Sequence, residues 1–568
     1  MTKKKPTITQ SVINGCVRHT IELFRPGRAL LLAMLVLAVG GTTLPAQAAT
    51  YTDLFDFLDG GPGPQWPGGP IPQGRDGDLY GYSYLGGTNN TGSIWKTDAS
   101  GAVSVIYSFA AGTGNDCQNG MTLGADGNFY GTAFTNCGGG GYVFKITPTG
   151  TLTLLHTFTG TPDGYGPGLL TPYADGNFYG VTSTGGTNNL GSVFKITPAG
   201  VLTILYSFNG TSNLANPSYG LTVGNDGNFY GTTVAGNGTV FKMTPAGVVT
   251  LLHSFAGPPN DGQAPVSGVI LGKDGNFYGT TQYGGSVVYD EFFNEGTVFK
   301  MTPAGTVTIL HNFNLSTDYG AFPTAPLLQA TDGNFYGAVD SCNEFGCGTQ
   351  DLYKVTPSGT LTVLEEFTGS GSGEFPYWPL MQDTNGILYG VTQQGGMVNG
   401  GVLFSLDISA VPFARLVGTS GKEGAKIGIL GQGFTAATVV KFGGTQATTI
   451  QRSGATFISA TVPAAALTGS VTVTTGTTTL TSSQMFKVTP TFLSFTPTSG
   501  SVGTPVVLTG TGLTQTTKVT FGGVTATTVT VNSDTQVTAN VPTGALTGKI
   551  VITTKGGRAQ SKTSFTVD

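Results

Sequence analysis

Apolar and polar residues alternate over short runs along almost the whole chain after residue 48, and this alternation predicts β-strands. One segment, "GLTVGNDGNFYGTTVAGNGTVFKMTPAGVVTLLHSF" (residues 220–255), contains four such runs, separated by an Asp-Gly turn, a Gly-rich loop and a Pro-x-Gly turn. The Asp-Gly or Asn-Gly pair returns at residues 76, 126, 175, 226, 274, 332 and 385. Four strands in a repeat of about 50 residues are typical of one β-propeller blade.

The two ends of the repeat array predict a closed ring of seven blades over residues 49–409. The seventh unit shows only three strands before the pattern changes, whereas residues 51–57, "YTDLFDF", form an isolated strand pattern near the start. This segment matches the fourth strand of other units, such as "VTLLHSF". We expect the N-terminal strand to complete the last blade, because that pairing would remove two open sheet edges.

The repeated motif "DGNFYG" is interpreted as a tight turn followed by a buried strand. Phe229 and Tyr230 should point to opposite faces of that strand, and neighbouring blades would cover both faces. Gly231 is expected to leave room for the neighbouring sheet. A calcium loop is the alternative, but calcium requires six to eight oxygen ligands and the motif offers one carboxylate and one amide.

The three histidines outside the leader are predicted to be strand residues. His156, His253 and His311 occupy one repeat position, at which other units have Tyr, Glu or Phe. A position that accepts all these residue types does not point to a catalytic base. We therefore expect no catalytic residue, no metal site and no cofactor.

The repeat pattern stops near residue 410, and two Thr- and Val-rich units follow, at residues 410–488 and 489–568. Their short alternating strands predict two β-sandwiches. The first contains "GQGF", "VKFGG" and "VPAAALTGSVTVTT", and the second contains "VTFGG" and "VPTGALTGKIVITT". These motifs resemble IPT/TIG domains, which are immunoglobulin-like modules. That resemblance implies spacer or adhesive units of surface proteins.

The repeat region is also similar to a known family. The pattern "DGNFYGTT…GTVFKMTPAG…TLLHSF" resembles the GloVer tandem repeat of exported bacterial "choice-of-anchor" proteins. The resemblance implies export with variable anchoring and carries no established activity.

Residues 1–48 are predicted to be a signal peptide. Basic residues precede the apolar run "ALLLAMLVLAV", and "TTLPAQA" follows with the small residues of a cleavage site. We therefore expect a secreted or cell-surface protein with no transmembrane anchor after cleavage. The leader holds six basic residues and one acidic residue, so its removal changes the formal net charge from −5 to about −10. An acidic chain without a basic cluster disfavours nucleic acid as a partner, and a monomer is expected.

The four cysteines after the leader are Cys117, Cys137, Cys342 and Cys347. An even number in an exported chain predicts two disulfides. The first two fall in adjacent loops, and the last two flank four residues of one loop. Zinc is the alternative, although no C-x-x-C motif and no nearby histidine support it.

The Asp-Gly and Pro-x-Gly turns should lie on one face of the ring, which we call the turn face. The longer connections lie on the opposite face, the loop face, and vary between repeats, which makes them the candidate binding region. The aromatic candidates for ligand binding there are Tyr165, Tyr219, Tyr283, Tyr289, Phe292, Phe293, Tyr319, Tyr377 and Trp378.

These features favour a non-catalytic binding or adhesion protein, with the loop face recognising an extracellular glycan or a surface protein and the sandwiches acting as a stalk. A purely structural component of the cell envelope is the alternative. A polysaccharide-active enzyme is less well supported, because it would require a pair of carboxylates and no pair is evident.

Overall fold

The computed structural model describes residues 49–568, apart from the short segments 99, 111–116, 136–138, 287–294, 315–317, 319–320, 324, 340–341, 344–345, 348–349 and 370. The predicted leader therefore lies outside the described residues. Strands dominate the described part, which includes one short 3-10 helix, Thr211–Asn213. No helix in this part is long and apolar enough to cross a membrane. The predicted all-β class is confirmed.

Seven antiparallel sheets, which we number sheet 1 to sheet 7, follow one another along residues 50–407. Sheets 1 to 3 contain β2 (Pro64–Gly68), β3 (Leu79–Gly86), β4 (Ser93–Thr97) and β5 (Val103–Ser108); β6 (Cys117–Leu123), β7 (Phe129–Thr135), β8 (Gly139–Ile146) and β9 (Leu152–Thr157); and β10 (Tyr165–Pro167), β11 (Thr171–Pro172), β12 (Phe178–Thr184), β13 (Ser192–Ile196) and β14 (Leu202–Ser207).

Sheets 4 to 6 repeat this arrangement, with short ladders in two of their loops. Their strands are β15 (Pro217–Val223), β16 (Phe229–Thr233), β17 (Thr239–Met243) and β18 (Val249–Ser254); β20 (Val269–Leu271), β21 (Phe277–Thr281), β23 (Thr297–Met301) and β24 (Val307–Asn312); and β25 (Leu328–Gln329), β26 (Phe335–Val339), β29 (Gln350–Val355) and β30 (Leu361–Phe367). The ladders are β19 (Gly262–Gln263) with β22 (Tyr283–Gly284), and β27 (Cys342–Asn343) with β28 (Gly346–Cys347).

Sheet 7 combines the two ends of the repeat array. It contains β31 (Met381–Gln382), β32 (Leu388–Thr392), β33 (Val402–Asp407) and the N-terminal strand β1 (Thr50–Asp56). Strand β1 pairs with β33 in antiparallel register, from Thr50 opposite Asp407 to Asp56 opposite Val402. The chain therefore closes its own sheet series, as the isolated N-terminal strand pattern predicts.

Each sheet packs on the next through the aromatic pair of its second strand. The tyrosine of one sheet stacks on the phenylalanine of the following sheet, with ring centroids 3.9–4.3 Å apart in the pairs Tyr80–Phe129, Tyr130–Phe178, Tyr179–Phe229, Tyr230–Phe277 and Tyr278–Phe335. Leucine replaces phenylalanine at the last two junctions, where Tyr336 shares a core cluster with Leu388 and Tyr389 with Leu79. Contacts thus lead from the last sheet back to the first.

The glycine after each tyrosine has a different role from the one predicted. A Cβ atom on Gly231 would lie 2.7 Å from Phe241 Cζ, and one on Gly180 would lie 2.5 Å from Phe194 Cζ. Both rings belong to the third strand of the same sheet. The glycine therefore makes room for the ring of its own cross-strand neighbour, and the expectation that a neighbouring sheet fills this space is wrong.

Two β-sandwiches with the same sheet topology follow the ring. Sandwich 1 contains β34 (Arg415–Val417), β35 (Ser420–Gly421), β36 (Lys426–Leu430), β37 (Val439–Phe442), β38 (Thr445–Gln446), β39 (Ile450–Ser453), β40 (Phe457–Thr461), β41 (Gly469–Thr475) and β42 (Thr478–Val488). Sandwich 2 contains β43 (Thr491–Thr496), β44 (Ser499–Gly500), β45 (Pro505–Thr511), β46 (Thr516–Phe521), β47 (Val524–Thr525), β48 (Val529–Ser533), β49 (Gln536–Asn540), β50 (Gly548–Thr554) and β51 (Gly557–Val567). Each sandwich consists of a four-stranded sheet and a five-stranded sheet. The four-stranded sheets have the strand orders β34-β36-β40-β39 and β43-β45-β49-β48.

Sandwich 1 lies against the turn face of the ring. Thr456 Oγ1 donates a hydrogen bond to Arg75 O at the turn of sheet 1 (2.8 Å), and the Arg75 guanidinium lies 4.3 Å from the centre of the Phe457 ring. On the other side, Lys487 Nζ donates to Asn225 O at the turn of sheet 4 (2.9 Å). Since sheets 1 and 4 are three positions apart in a cycle of seven, sandwich 1 extends across the ring axis.

We predict that Gly180→Ala destabilises the protein by about 1–3 kcal/mol, because the added methyl group overlaps the Phe194 ring and the core must shift to accept it. Gly180 has no positive φ, so the change adds no backbone strain. The measurement is the free energy of unfolding in denaturant.

Phe194→Leu is the matched partner for this test. If the overlap is the cause, the loss from Gly180→Ala should shrink by more than about 0.5 kcal/mol in the Phe194→Leu background. Strictly additive losses in the double variant would contradict the assignment.

Candidate functional site at the channel mouth

The repeated Asp-Gly turns are structural. Asp226 accepts hydrogen bonds from the Asn228 backbone N–H (3.1 Å), the Asn228 side-chain amide (2.7 Å) and the Tyr230 hydroxyl (3.0 Å), and its carboxylate lies 2.7 Å from Lys242 Nζ. Burial opposes its ionisation, but the bonds from Lys242 and Asn228 outweigh burial and lower the pKa of Asp226 to about 2. Within the described ranges, no group of three or more His, Cys, Asp or Glu side chains could hold a metal ion.

Each strand histidine has an acidic partner that the sequence analysis did not identify. The Nε2 atoms of His156, His253 and His311 lie 2.9, 3.0 and 2.8 Å from a carboxylate oxygen of an aspartate in the following loop, namely Asp163, Asp261 and Asp318. Asp261 also accepts the Ala256 and Gly262 backbone N–H groups. These pairs therefore fasten loops between sheets, and the spacing of seven or eight residues was the available signal.

One buried carboxylate lacks a partner among the described residues. Asp351, on β29, is fully buried, and neither carboxylate oxygen has a hydrogen-bond partner. Burial and, to a smaller extent, the charge of Glu366 on the neighbouring strand raise the pKa of Asp351 to about 7. The raised pKa is typical of a general acid, but a fully buried side chain cannot touch a substrate in this conformation.

One position of the repeat surrounds the axis of the ring near the loop face. We call this region the channel mouth. The residue seven places before each Asp-Gly or Asn-Gly turn lies within the first strand of its sheet or no more than three residues from it. These seven residues are Gly69, Asn119, Gly168, Tyr219, Ser267, Ala325 and Trp378. Hydrogen bonds between neighbouring first strands, such as Leu169 N to Tyr219 O at 2.7 Å, show that these strands form the inner wall.

A cavity of about 480 Å³ lies at this mouth, within the range of roughly 300–1,000 Å³ that is usual for small-molecule sites. Four of the seven ring positions line it, and the remaining lining comes from the ends of second strands and the starts of first strands. The lining residues are Asn119, Phe134, Gly166, Gly168, Val181, Ser183, Thr184, Asn216, Pro217, Ser218, Tyr219, Val234 and Trp378. None of these side chains is charged.

Trp378 is held in an aromatic cluster that joins sheet 7 to sheet 1. Its ring lies 6.0 Å from the Tyr82 ring and 6.1 Å from the Tyr84 ring, and the two tyrosine hydroxyls are 3.3 Å apart. Trp378 Nε1 is buried and has no hydrogen-bond partner among the described residues. Burial raises the pKa of Tyr84 to about 12 and raises the pKa of Tyr82 well above its usual value, so both hydroxyls stay neutral.

Tyr219 occupies a strained backbone position in the cavity wall. Its φ is +63°, in the left-handed region that a bulky residue rarely adopts. It lies where the register between β15 and β16 shifts, after Ser218 and before Thr222, and such a bulge re-aims a side chain. Strain of this kind persists where surrounding structure imposes it and is concentrated at functional sites.

Two amide side chains supply polar groups to the wall. Asn119 Nδ2 donates to Pro167 O at 2.6 Å, and Asn216 Nδ2 donates to Ser183 O at 3.1 Å. These bonds fix the orientation of each amide, while both Oδ1 atoms accept no hydrogen bond from a described residue. An oriented amide beside aromatic rings can bind a hydroxyl-bearing, uncharged ligand.

The structure brings together Tyr219 and Trp378 from the predicted aromatic set. Tyr165, Tyr283 and Tyr377 do not line the cavity. The Tyr165 hydroxyl donates to Thr159 O, Tyr283 packs against Phe322, and Tyr377 stacks on Phe375. The predicted residues Tyr289, Phe292, Phe293 and Tyr319 lie outside the described residues.

Tyr82, Tyr84, Phe134 and the two amides are not among the site residues predicted from the sequence. Only an alignment of the repeats by their Asp-Gly turns shows that Asn119, Tyr219 and Trp378 share one position.

The predicted disulfides stay a prediction. Cys342 lies directly opposite Cys347 in the ladder of β27 and β28, which is the arrangement expected for a short cross-link. Cys117 lies at the start of β6, and Cys137 lies outside the described residues.

Comparison with known families agrees with the resemblance of the repeat region and, for sandwich 2, with the IPT/TIG resemblance. Residues 234–457 match the Gloeobacter/Verrucomicrobia repeat, and residues 490–567 match the IPT/TIG domain. The predicted repeat family and C-terminal module are thus confirmed. No curated protein is similar enough to count as a match.

Several solved structures are distantly similar. A fungal alcohol oxidase of the AA5 family, in complex with copper, is 14% identical, with coverage of 89% of this chain and 98% of its own and a TM-score of 0.39. An oligogalacturonate lyase in complex with manganese is 10% identical (60% and 87% covered, TM-score 0.41). A surface glycan-binding protein from Prevotella bryantii is 17% identical (26% and 38% covered, TM-score 0.21). These similarities are too weak to assign an activity.

We predict that Asp351→Asn stabilises the protein at about pH 8 by on the order of 2–4 kcal/mol. The folded protein holds the Asp351 proton more tightly than the unfolded chain, so stability falls as the pH rises from about 4 to the pKa of about 7. The gain should therefore vanish below about pH 4, in denaturant unfolding followed across pH.

Glu366→Gln is the control for this prediction. This change removes the charge of the exposed Glu366, which is the smaller cause of the raised pKa of Asp351. It should therefore stabilise the protein clearly less than Asp351→Asn does. Equal stability of the wild type and Asp351→Asn at about pH 8 would show that Asp351 is not destabilising.

We predict that Tyr219→Gly is more stable than Tyr219→Ala by about 1 kcal/mol, because both lose the ring and only alanine keeps the left-handed strain. Thr222, a residue of the same strand without a positive φ, is the control. There, alanine should be the more stable replacement by about 0.5–1 kcal/mol. The same order at both positions would contradict strain at Tyr219.

Proposed function

We propose that this chain is an exported, non-catalytic binding protein whose channel mouth holds a carbohydrate. The observation that carries the proposal is the cavity between Trp378 and Tyr219, with the amides of Asn119 and Asn216 in its wall. Sugars present apolar C–H faces beside hydroxyl groups, so aromatic rings next to fixed amides match both parts of their surface.

The chemistry of the lining supports binding over catalysis. Glycoside hydrolysis requires two carboxyl groups that flank the bond to be broken. The described lining contains amides, hydroxyls, apolar groups and aromatic rings, whereas Asp351 is buried elsewhere in sheet 6. Binding without turnover is the function that this set of side chains favours.

The sandwiches are proposed to act as a stalk that presents the loop face. Sandwich 1 contacts the turn face through Thr456, Phe457 and Lys487, which leaves the channel mouth on the side away from the stalk. The pair of IPT/TIG-like modules would then set the distance between the ring and an anchoring surface. A purely structural role in the cell envelope is the competing proposal.

We predict that Trp378→Ala weakens binding of a glycan at least about tenfold, because truncating a central aromatic side chain removes the largest contact in the site. The experiment is an array of neutral plant and bacterial glycans, followed by calorimetry on the best probe. Asn119→Ala should lower the affinity for the same glycan by a smaller factor.

Tyr206→Ala is the matched control, because Tyr206 lies on the outer strand β14 and packs on Phe208, away from the cavity. It should change the affinity less than about twofold. Thermal unfolding of each variant checks the fold. Unchanged binding after Trp378→Ala would contradict the site, and no binding to any glycan would favour the structural role.

A further inference from the structure

The channel has one open end, and this feature restricts what can enter it. At the turn face, sandwich 1 reaches from sheet 1 to sheet 4 across the ring axis. Gln432 Nε2 of the sandwich donates to Thr384 Oγ1 (2.9 Å), and Gln73 Nε2 of sheet 1 donates to the same oxygen (2.9 Å). Gln73 and Thr384 are fully buried, so this end of the channel is covered by protein.

The open end carries two large aromatic residues among smaller ones. Trp378 of sheet 7 and Tyr219 of sheet 4 come from opposite sides of the cycle, and both line the cavity. The other ring positions include Gly69, Gly168 and Ala325, which are small. The cavity at this end is therefore bounded by two aromatic residues and by the small residue Gly168.

The absence of cationic side chains from the described lining disfavours anionic carbohydrates. The lining has no charged side chain, and the chain without its leader has a formal net charge of about −10. A carboxylate or sulfate placed in this cavity would lose water without gaining a cationic partner. The field of the acidic protein would also repel a polyanion.

From these observations we infer that the channel mouth binds the end of a neutral glycan chain, and this inference rests on the proposed function. A polymer cannot pass through a channel that is closed at the turn face. An internal segment would have to lie across the mouth, where it could not fill the cavity of about 480 Å³ between Trp378 and Tyr219. A chain terminus can enter lengthwise and contact the aromatic rings and the amides together.

The test uses homologous series of neutral gluco-, xylo- and manno-oligosaccharides, from disaccharides to the parent polymers, with calorimetry on the purified protein. The molar affinity should rise until the cavity is filled and then change less than about twofold with further length. One protein should bind per chain end at every length. A number of bound proteins that grows with chain length would overturn the inference and leave the proposed function standing.

Attachment of the best oligosaccharide to a bead gives a second readout. Coupling through the end that enters the channel should abolish capture, whereas coupling through the other end should retain it. Equal capture in both orientations would overturn chain-end binding. For a glucan, a cyclodextrin is the control, because it has the same sugar and no end.

The remaining outcomes separate this inference from the proposal on which it depends. Oligogalacturonides should bind at least about tenfold more weakly than the best neutral series, and stronger binding of the anionic probe would overturn neutrality. If no carbohydrate binds, the proposed function fails and the inference fails with it. Trp378→Ala must lower the affinity for the chain end. If the affinity is unchanged in this variant, the glycan binds at another surface and the inference is wrong.

Discussion

The stacking of one tyrosine on the next sheet's phenylalanine is the interaction on which the ring depends. Tyr230 lies 3.9 Å from Phe277, and the same pair recurs at four other junctions with nearly the same distance. Because Phe and Tyr are adjacent on the second strand of sheets 2 to 6, each of these sheets has an aromatic residue on both faces, whereas sheets 1 and 7 have Leu79 and Leu388 in place of Phe. The following glycine leaves room for the ring of the third strand, so each of sheets 2 to 6 holds three neighbouring rings.

This packing assigns different roles to the two faces of the ring. On the turn face, hydrogen bonds within each Asp-Gly turn hold the turn in a regular conformation. Sandwich 1 contacts the turns of sheets 1 and 4 at the same time. The loop face has connections of unequal length, and the His–Asp pairs hold three of them near the sheets. Because sandwich 1 covers the turn face, the proposed binding site lies on the loop face.

The sequence predicts the strands, the turns and the closing strand because these depend on local alternation and on a repeat that the chain displays many times. It does not predict which loop aromatics meet. Trp378 and Tyr219 are brought together by ring closure, and by sequence alone they cannot be distinguished from Tyr165 or Tyr377. The same limit applies to Asp351, which occupies a position where sheets 1, 3, 4 and 5 place Ser or Thr.

A ring of identical sheets would have a symmetric channel, and a symmetric channel cannot orient an asymmetric ligand. Recognition of such a ligand therefore requires that the sheets carry different residues at the inner wall. Differences there do not disturb the aromatic stacks between sheets. The position seven residues before each turn meets this requirement, since it varies from glycine to tryptophan while the strand-two aromatics vary little. The left-handed backbone of Tyr219 is a cost at this position, because sheets 2 and 5 place a glycine with positive φ one residue later in the repeat, at Gly120 and Gly268. The proposed ligand would contact this strained tyrosine and Trp378 Nε1, which has no hydrogen-bond partner among the described residues.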